Sequence, residues 1–199
     1  MLKSCVPAVL ITATFLFACG NNSDKSDTTG TTSSETENSY FPVTGFIHSQ
    51  LTAIDSLQLP VTKYEAAGNK KDTVALSTAD CRLLAAPFLE YDITASPLKE
   101  KFRETSFADQ SIPSITFTYH TADSTLALKR VDVVLAPDPV QSDKVKSVYM
   151  EKLFQQQDTL VEEKLYWKAN HYYQLIRSKK VANGQPIISQ LKVVWDPTE

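Results

Sequence analysis

The sequence predicts an α+β fold, in which one antiparallel sheet of about six strands packs against helices that precede it in the chain. Six runs of about ten residues, rich in Val, Ile, Leu, Tyr and Trp, occupy most of residues 111–199. Only a few polar residues separate successive runs, and connections this short join antiparallel neighbours. Residues 40–110 instead carry apolar residues at spacings of three and four, which are typical of amphipathic helices.

The six predicted strands form a meander, in which each strand pairs with the one that follows it. Asn183-Gly184, before the last strand, is the strongest hairpin signal, because this dipeptide favours the two-residue turns of antiparallel pairs. In chain order the strands are "SITFTYH" (114–120), "TLALKRVDVVLAP" (125–137), "KVKSVYMEKLF" (144–154), "TLVEEKLYWKA" (159–169), "HYYQLIRSKK" (171–180) and "PIISQLKVVWD" (186–196).

Two of these strands predict how the faces of the sheet are covered. In residues 159–169, Val161, Leu165 and Trp167 alternate with charged residues, which predicts one buried and one solvent-exposed face. In residues 144–154, apolar residues occupy both alternating sets, which predicts a central strand covered on both sides. Those two sets are Val145, Tyr149 and Leu153, and Val148, Met150 and Phe154.

The first predicted helix covers residues 44–57, where the apolar residues share one face and Pro60 lies just beyond the end. Residues 61–67 and 72–76 fit two short strands. Ser77 is then expected to cap a second helix, because an acid follows it three residues later.

Proline positions and aromatic residues complete the prediction for this segment. Pro87 is expected to kink or shorten the second helix, and Pro97 is expected to open another short one through "PLKEKFRE". Phe102 and Phe107 are expected to pack against the rest of the domain. Residues 40–199 therefore form one globular domain, mostly helical in 40–110 and mostly sheet in 111–199.

The first 18 residues have the order of a secretory signal: a basic residue, an apolar run from Val6 to Phe17, and Ala18. The run is too short for a membrane span, which needs about 20 apolar residues. Leu16-Phe17-Ala18-Cys19 resembles the lipobox of bacterial lipoproteins. The resemblance implies cleavage before Cys19, a diacylglycerol on its sulfur and an acyl chain such as palmitate on its amino group. The alternatives are an ordinary secretory signal with an incidental cysteine and an uncleaved signal anchor.

The segment after Cys19 has the composition of a tether. Residues 20–39 contain no large apolar side chain before Tyr40 and are rich in Ser, Thr, Asn, Asp and Gly. Such a segment cannot offset its conformational entropy by burial, so residues 19–39 are predicted to form a lipidated cysteine and a disordered linker. A random coil of this length spans about 25 Å.

Signal, tether and acidic balance together resemble the small lipoproteins of Gram-negative bacteria, particularly those of the Bacteroidota. Gly20 stands where an Asp would resemble an inner-membrane retention signal, so the resemblance implies the outer membrane and leaves the leaflet open. The predicted sheet and helices also resemble lipid-binding half-barrels of lipoprotein carriers and the folds of outer-membrane assembly lipoproteins. No motif assigns the globular domain to a family.

Composition excludes several functional classes. The chain has 199 residues and a net charge of -3, so it has no basic surplus for binding nucleic acid. Its five glycines form neither a Gly-x-Gly-x-x-Gly motif nor a Walker loop, and no cofactor is predicted.

Candidate catalytic residues are few and scattered. His48, His120 and His171 lack the close spacing of zinc ligands, so no metal site is predicted. Cys81 is expected to be a buried, unreactive thiol. Paired acids at Glu162-Glu163 point to opposite faces of a strand and are expected to be solvated. Asp138 and Asp143 lack the spacing of a calcium loop. Four aromatic residues lie close together in the sequence and fit cross-strand packing better than a sugar or partner site: Tyr166, Trp167, Tyr172 and Tyr173.

The sequence therefore predicts a membrane-anchored envelope lipoprotein without an enzymatic site. Two functions remain open. The chain is an interaction module that docks on an envelope protein through a sheet edge or an aromatic face, or it is a carrier that holds an apolar ligand between a curved sheet and the helices. A carrier needs an apolar cavity, whereas an interaction module has a filled core.

Overall fold

The computed structural model describes residues 39–137, 144–182 and 184–198. Its helices are α1 (Val43–Ser56), α2 (Thr78–Leu84) and α3 (Leu98–Lys101), with a 3₁₀ turn at Ala86–Phe88. Its strands are β1 (Val61–Ala67), β2 (Lys70–Leu76), β3 (Arg103–Asp109), β4 (Ser114–His120), β5 (Leu128–Ala136), β6 (Lys144–Gln156), β7 (Thr159–Lys168), β8 (Tyr172–Val181) and β9 (Ile187–Val194).

All nine strands belong to one antiparallel sheet, in the order β2-β1-β9-β8-β7-β6-β5-β4-β3. The α+β class and the meander from β4 to β9 are confirmed. The predicted number of six strands is wrong, because three strands from the first half of the chain join the same sheet. The β1–β2 hairpin pairs with the last strand, β9, and β3 pairs with β4 at the opposite edge.

Helix α1 forms where the apolar spacing predicted a helix. Its buried residues, Val43, Ile47, Leu51 and Ile54, form one stripe that faces the sheet. The stripe has the three- and four-residue spacing of a helix with one buried face. Packing of this stripe against the sheet stabilises a helix of only 14 residues, which would be marginal alone.

Helix α2 starts at the predicted cap. The Ser77 hydroxyl oxygen accepts a hydrogen bond from the Asp80 backbone N–H at 3.1 Å, and the same hydroxyl donates to the Asp80 carboxylate at 2.7 Å. The helix gives way after Leu84 to the 3₁₀ turn that contains Pro87. This confirms that the proline shortens the helix, because its ring cannot continue an α-helical hydrogen-bond ladder.

The two layers meet at a cluster of aromatic rings. The Phe88 ring centroid lies 5.3 Å from that of Trp167 and 5.5 Å from that of Tyr173, both edge-on. Trp167 and Tyr173 stack at 5.0 Å on neighbouring strands. The Tyr173 hydroxyl donates a hydrogen bond to the Cys81 carbonyl at 2.8 Å, so the sheet is also bound to α2. All four residues are fully buried, and the space between sheet and helices is filled here by side chains.

The mixed apolar pattern of β6 has a local cause. Between β5 and β6 the register shifts, so that Val134 pairs with Ser147 and Leu135 pairs with Val145. This irregularity returns Val145 to the helix-covered face, where it packs against the core. On the other face, Tyr149 is half-buried and Leu153 is 39% exposed. The prediction that β6 is covered on both sides is therefore wrong.

Phe102 and Phe107 have opposite environments. Phe102 is buried, and its carbonyl accepts a hydrogen bond from the Tyr40 hydroxyl at 2.6 Å. Phe107 lies on the edge strand β3 and is 67% exposed, so the expectation that it packs against the domain is wrong. Cross-strand register places Phe107 in line with Tyr172, on the face that the helices do not cover.

The aromatic cluster between the helices and the sheet predicts how much stability the domain loses when the Phe88 ring is removed. Phe88→Ala removes the side chain that contacts Trp167 and Tyr173, and should lower the free energy of unfolding by about 3–5 kcal/mol. Urea denaturation of residues 20–199, which leave out the predicted signal and lipidation site, measures this loss. Phe107→Ala removes the same side chain from an exposed site and should change stability by about 0.5 kcal/mol or less. Equal losses for the two variants would contradict the assigned packing.

Candidate functional site

Several predicted functional positions lie outside the described residues. These are the predicted lipidation site Cys19 and the predicted signal and tether around it. Asp138 and Asp143, which lack the spacing of a calcium loop, also lie outside the described residues. Asn183, of the predicted hairpin signal, is also outside them. Within the described part of the chain, no helix has the length and apolar character needed to cross a membrane.

The three histidines do not form a common site. His48 is exposed on α1, and His120 is exposed at the end of β4. His171 is half-buried, and its Nδ1 lies 3.6 Å from Asp196 Oδ2. The pKa of Asp196 is lowered, first by the hydroxyl and backbone N–H of Thr198 and only last by His171. In the described ranges, no group of three or more His, Cys, Asp or Glu could hold a metal ion.

Cys81 lies on α2 and is fully buried, as predicted. Burial raises the pKa of its thiol, while the Tyr173 hydroxyl and Arg82 act in the lowering direction. A buried thiol with a raised pKa is protonated at neutral pH and is a poor nucleophile.

A row of three charged side chains crosses the helix-covered face next to the apolar core. Lys152, Glu163 and Arg177 are register partners on β6, β7 and β8. Lys152 is 1% exposed and Glu163 is 4% exposed. Nε and Nη2 of Arg177 each lie 2.6 Å from Glu163 Oε1, and Lys152 Nζ lies 3.8 Å from Glu163 Oε2. We call these three residues the charged row.

The loop after the 3₁₀ turn contacts Lys152, at one end of the charged row. Lys152 Nζ donates a hydrogen bond to Glu90 Oε2 and lies 5.2 Å from the centroid of the Tyr91 ring. Burial and the Glu90 carboxylate raise the pKa of Tyr91. Each Glu163 oxygen already faces a cation, so this carboxylate serves to hold β6, β7 and β8 together and is poorly placed to act as a general base.

The burial of Glu163 overturns the expectation that it is a solvated charge. Glu162 and Glu163 do point to opposite faces, and Glu162 pairs with Lys164 at 3.1 Å on the uncovered face. The signal was present in the sequence, because Glu163 belongs to the same alternating set as Val161, Leu165 and Trp167. The alternating pattern of β7 therefore predicts that Glu163 points into the domain. It does not predict the partners of Glu163, because Lys152 and Arg177 lie on the neighbouring strands β6 and β8.

The four adjacent aromatics divide between the two faces. Trp167 and Tyr173 lie in the core, in agreement with cross-strand packing. Tyr166 and Tyr172 lie on the face that the helices leave uncovered, where their ring centroids are 5.9 Å apart. This division follows from the two-residue period of strands.

Tyr172 belongs to a shallow groove on the uncovered face. The groove has a volume of about 300 Å³ and is open to solvent. A neighbouring depression of about 280 Å³ shares Tyr64 and Lys192 with it and extends over β1 and β2. Lys192 Nζ lies 3.8 Å from the Tyr172 ring centroid, within the range of a cation–π contact. We call this surface the tyrosine groove; its lining residues are Tyr64, Tyr172, Lys192, Val194, Asp196 and Pro197.

The tyrosine groove places aromatic rings next to a positively charged and a negatively charged side chain, Lys192 and Asp196. Tyr64 is 46% exposed on β1, and its register partner is Lys192 of β9. Sequence reasoning missed Tyr64, because "VTKYEAA" has weak alternation and its pairing with β9 links residues far apart in the chain. The groove can bind a partner through apolar rings and polar groups together.

No protein-family model matches the chain, and comparisons with curated proteins and with solved structures find no similar protein.

The charged row predicts unequal effects at two adjacent acids. Glu163→Gln leaves Lys152 and Arg177 without their shared carboxylate and should lower the free energy of unfolding by about 2–3 kcal/mol. Glu162→Gln removes an acid from an exposed ion pair and should cost less than about 1 kcal/mol. Urea denaturation of both variants at neutral pH makes the comparison, and a larger loss for Glu162→Gln would rule out the assigned roles.

Proposed function

We propose that this chain is a lipoprotein of the outer membrane and that its folded domain is a non-enzymatic interaction module. The lipobox-like Leu16-Phe17-Ala18-Cys19 and the polar segment that follows support the anchor. Two or more acyl chains on one residue would hold the protein stably, because one chain alone binds a bilayer only marginally. The membrane is thus the first partner, and an envelope protein is the second.

The filled interior favours the interaction module over the carrier. Side chains of Phe88, Trp167 and Tyr173 occupy the space between helices and sheet, where an apolar ligand would otherwise lie. The tyrosine groove and its neighbouring depression are open to solvent and lie on the other face of the sheet. A carrier would instead enclose most of its ligand's surface.

The observation that carries this proposal is the tyrosine groove, with two tyrosines on the sheet face that the described helices leave uncovered. Tyrosine is enriched at protein interfaces, because its ring buries a large apolar area and its hydroxyl forms hydrogen bonds. In the groove Lys192 lies beside Asp196, so both charged signs line it. This balance of charges fits a protein partner with a mixed polar surface better than a polyanion.

The anchor predicts which cysteine carries lipid. Cells fed labelled palmitate should incorporate the label into this protein, and Cys19→Ala should abolish incorporation and release the chain from the membrane fraction. Cys5→Ala is the matched control, because Cys5 lies in the same leader and is removed with it, so labelling should persist. Label that persists in Cys19→Ala would rule out lipidation at this residue.

The tyrosine groove predicts where a partner contacts the domain. A photoreactive amino acid at position 64 or 172 should cross-link a specific envelope protein. The same probe at Ala53, on the solvent-exposed side of α1, should not. Tyr64→Ala combined with Tyr172→Ala should reduce recovery of that protein by at least roughly tenfold, the effect of losing an interface hot spot.

Phe107→Ala is the matched control for this pair of substitutions, because Phe107 lies on the same uncovered face at the far edge of the sheet. It should leave recovery unchanged. An equal reduction by Phe107→Ala, or cross-linking from Ala53 alone, would locate the docking surface elsewhere.

A further inference from the structure

Three hairpins turn at the same end of the sheet, beyond the charged row. Register places Ala67, Ser189, Arg177 and Glu163 side by side on β1, β9, β8 and β7. Beyond these four residues, towards the hairpin turns, β7 reaches its first residue, Thr159, and β8 reaches its last residue, Val181. Strand β9 begins in the same region, at Ile187. These strand ends therefore extend past the aromatic core and past the ion pairs beside it.

Five large apolar side chains are exposed on these strand ends. Leu153, Leu160, Val181, Ile187 and Ile188 are between 39% and 71% exposed. We call them the apolar end. Exposed apolar residues grouped at one end of a sheet are a candidate contact for a protein or a membrane, unlike residues scattered singly over a surface.

The apolar end has exposed side chains on both faces of the sheet. Register aligns Leu153 with Glu162, Glu162 with Ser178, and Ser178 with Ile188, all on the uncovered face. Ile187 lies on the opposite, helix-covered face. Its register partner Lys179 aligns with Val161, which is buried on that face. A flat protein surface would contact one of these faces, whereas a lipid interface surrounds both.

Lysines flank the same strand ends. Lys179 and Lys180 directly precede Val181, and Lys70 and Lys71 lie at the neighbouring β1–β2 turn, all exposed. Asp72, Asp158 and Glu162 are also nearby, so the surplus of positive charge is small. Lysine stems can lie along apolar surface while their ammonium groups reach phosphates, which suits the headgroup region of a bilayer.

We infer that the apolar end inserts into the headgroup region of a bilayer that contains anionic lipids. The inference rests on the proposed lipid anchor for its biological setting. If residues 20–39 form the predicted random coil, the linker reaches about 25 Å and would keep the domain close to the membrane. Tethering gives effective concentrations in the millimolar range, so even weak insertion would orient the domain.

Vesicle binding without the acyl chains tests this inference separately from the anchor. The probe is the mature chain carrying Cys19→Ala, sedimented with vesicles of phosphatidylethanolamine and phosphatidylglycerol in a 3:1 ratio, or of phosphatidylcholine alone. The protein should bind the anionic vesicles more tightly. Ile187→Asp combined with Ile188→Asp should weaken binding at least roughly tenfold, because two charges then replace inserted side chains.

The matched control is Phe107→Asp combined with Ile112→Asp, which changes two similarly exposed apolar residues away from the apolar end. This variant should bind as the parent does. Lys179→Gln and Lys180→Gln should each weaken binding to the anionic vesicles by roughly fivefold at low salt.

Three outcomes would overturn the inference. The first is no binding to either vesicle type, and the second is equal weakening by the Phe107 and Ile112 control. The third is specific cross-linking of position 188 to a protein in cells without vesicle binding, which would assign the apolar end to a protein partner. Palmitate labelling of Cys19 is independent of all three results, so failure here is distinguishable from failure of the anchor.

Discussion

Phe88, Trp167 and Tyr173 form the contact on which the domain depends, because here the 3₁₀ turn after α2 packs against the buried face of the sheet. Helix α2 has seven residues and α3 has four, lengths at which isolated helices are unstable in water. Helix α2 and the 3₁₀ turn after it persist because this aromatic cluster and the Tyr173–Cys81 hydrogen bond bind them to the sheet. Burial of Tyr173 also raises the pKa of its phenol, so the hydrogen-bond donor is retained at any ordinary pH.

Covering the sheet on one side only determines which surfaces are available for binding. The helices bury the central strands on one face, and the opposite face keeps half-buried and exposed side chains such as Tyr64 and Tyr172. The charged row lies beside the buried core, where Lys152 and Glu163 are paired instead of solvated. Past the charged row, the strand ends carry the exposed residues of the apolar end, which form the proposed membrane contact.

The two proposed surfaces and the proposed anchor are compatible on one small domain. The tyrosine groove extends over β1, β9 and β8 on the uncovered face, and the apolar end belongs to the turns of the hairpins. A domain held by its apolar end would leave the broad face of the sheet accessible to a partner. Insertion would thereby orient the groove relative to the bilayer, which a lipid tether alone cannot do.

The sequence by itself determined the features that depend on near neighbours in the chain. The meander from β4 to β9, helix α1 and the Ser77 cap follow from periodicity, short turns and local hydrogen bonds, as does the choice of Cys19 as the predicted anchor. Pairing of β1 with β9, the irregularity in β6 and the cationic partners of Glu163 were decided only by the tertiary structure. These features join strands through register, and register depends on side chains that are distant in sequence and close only after the sheet has formed.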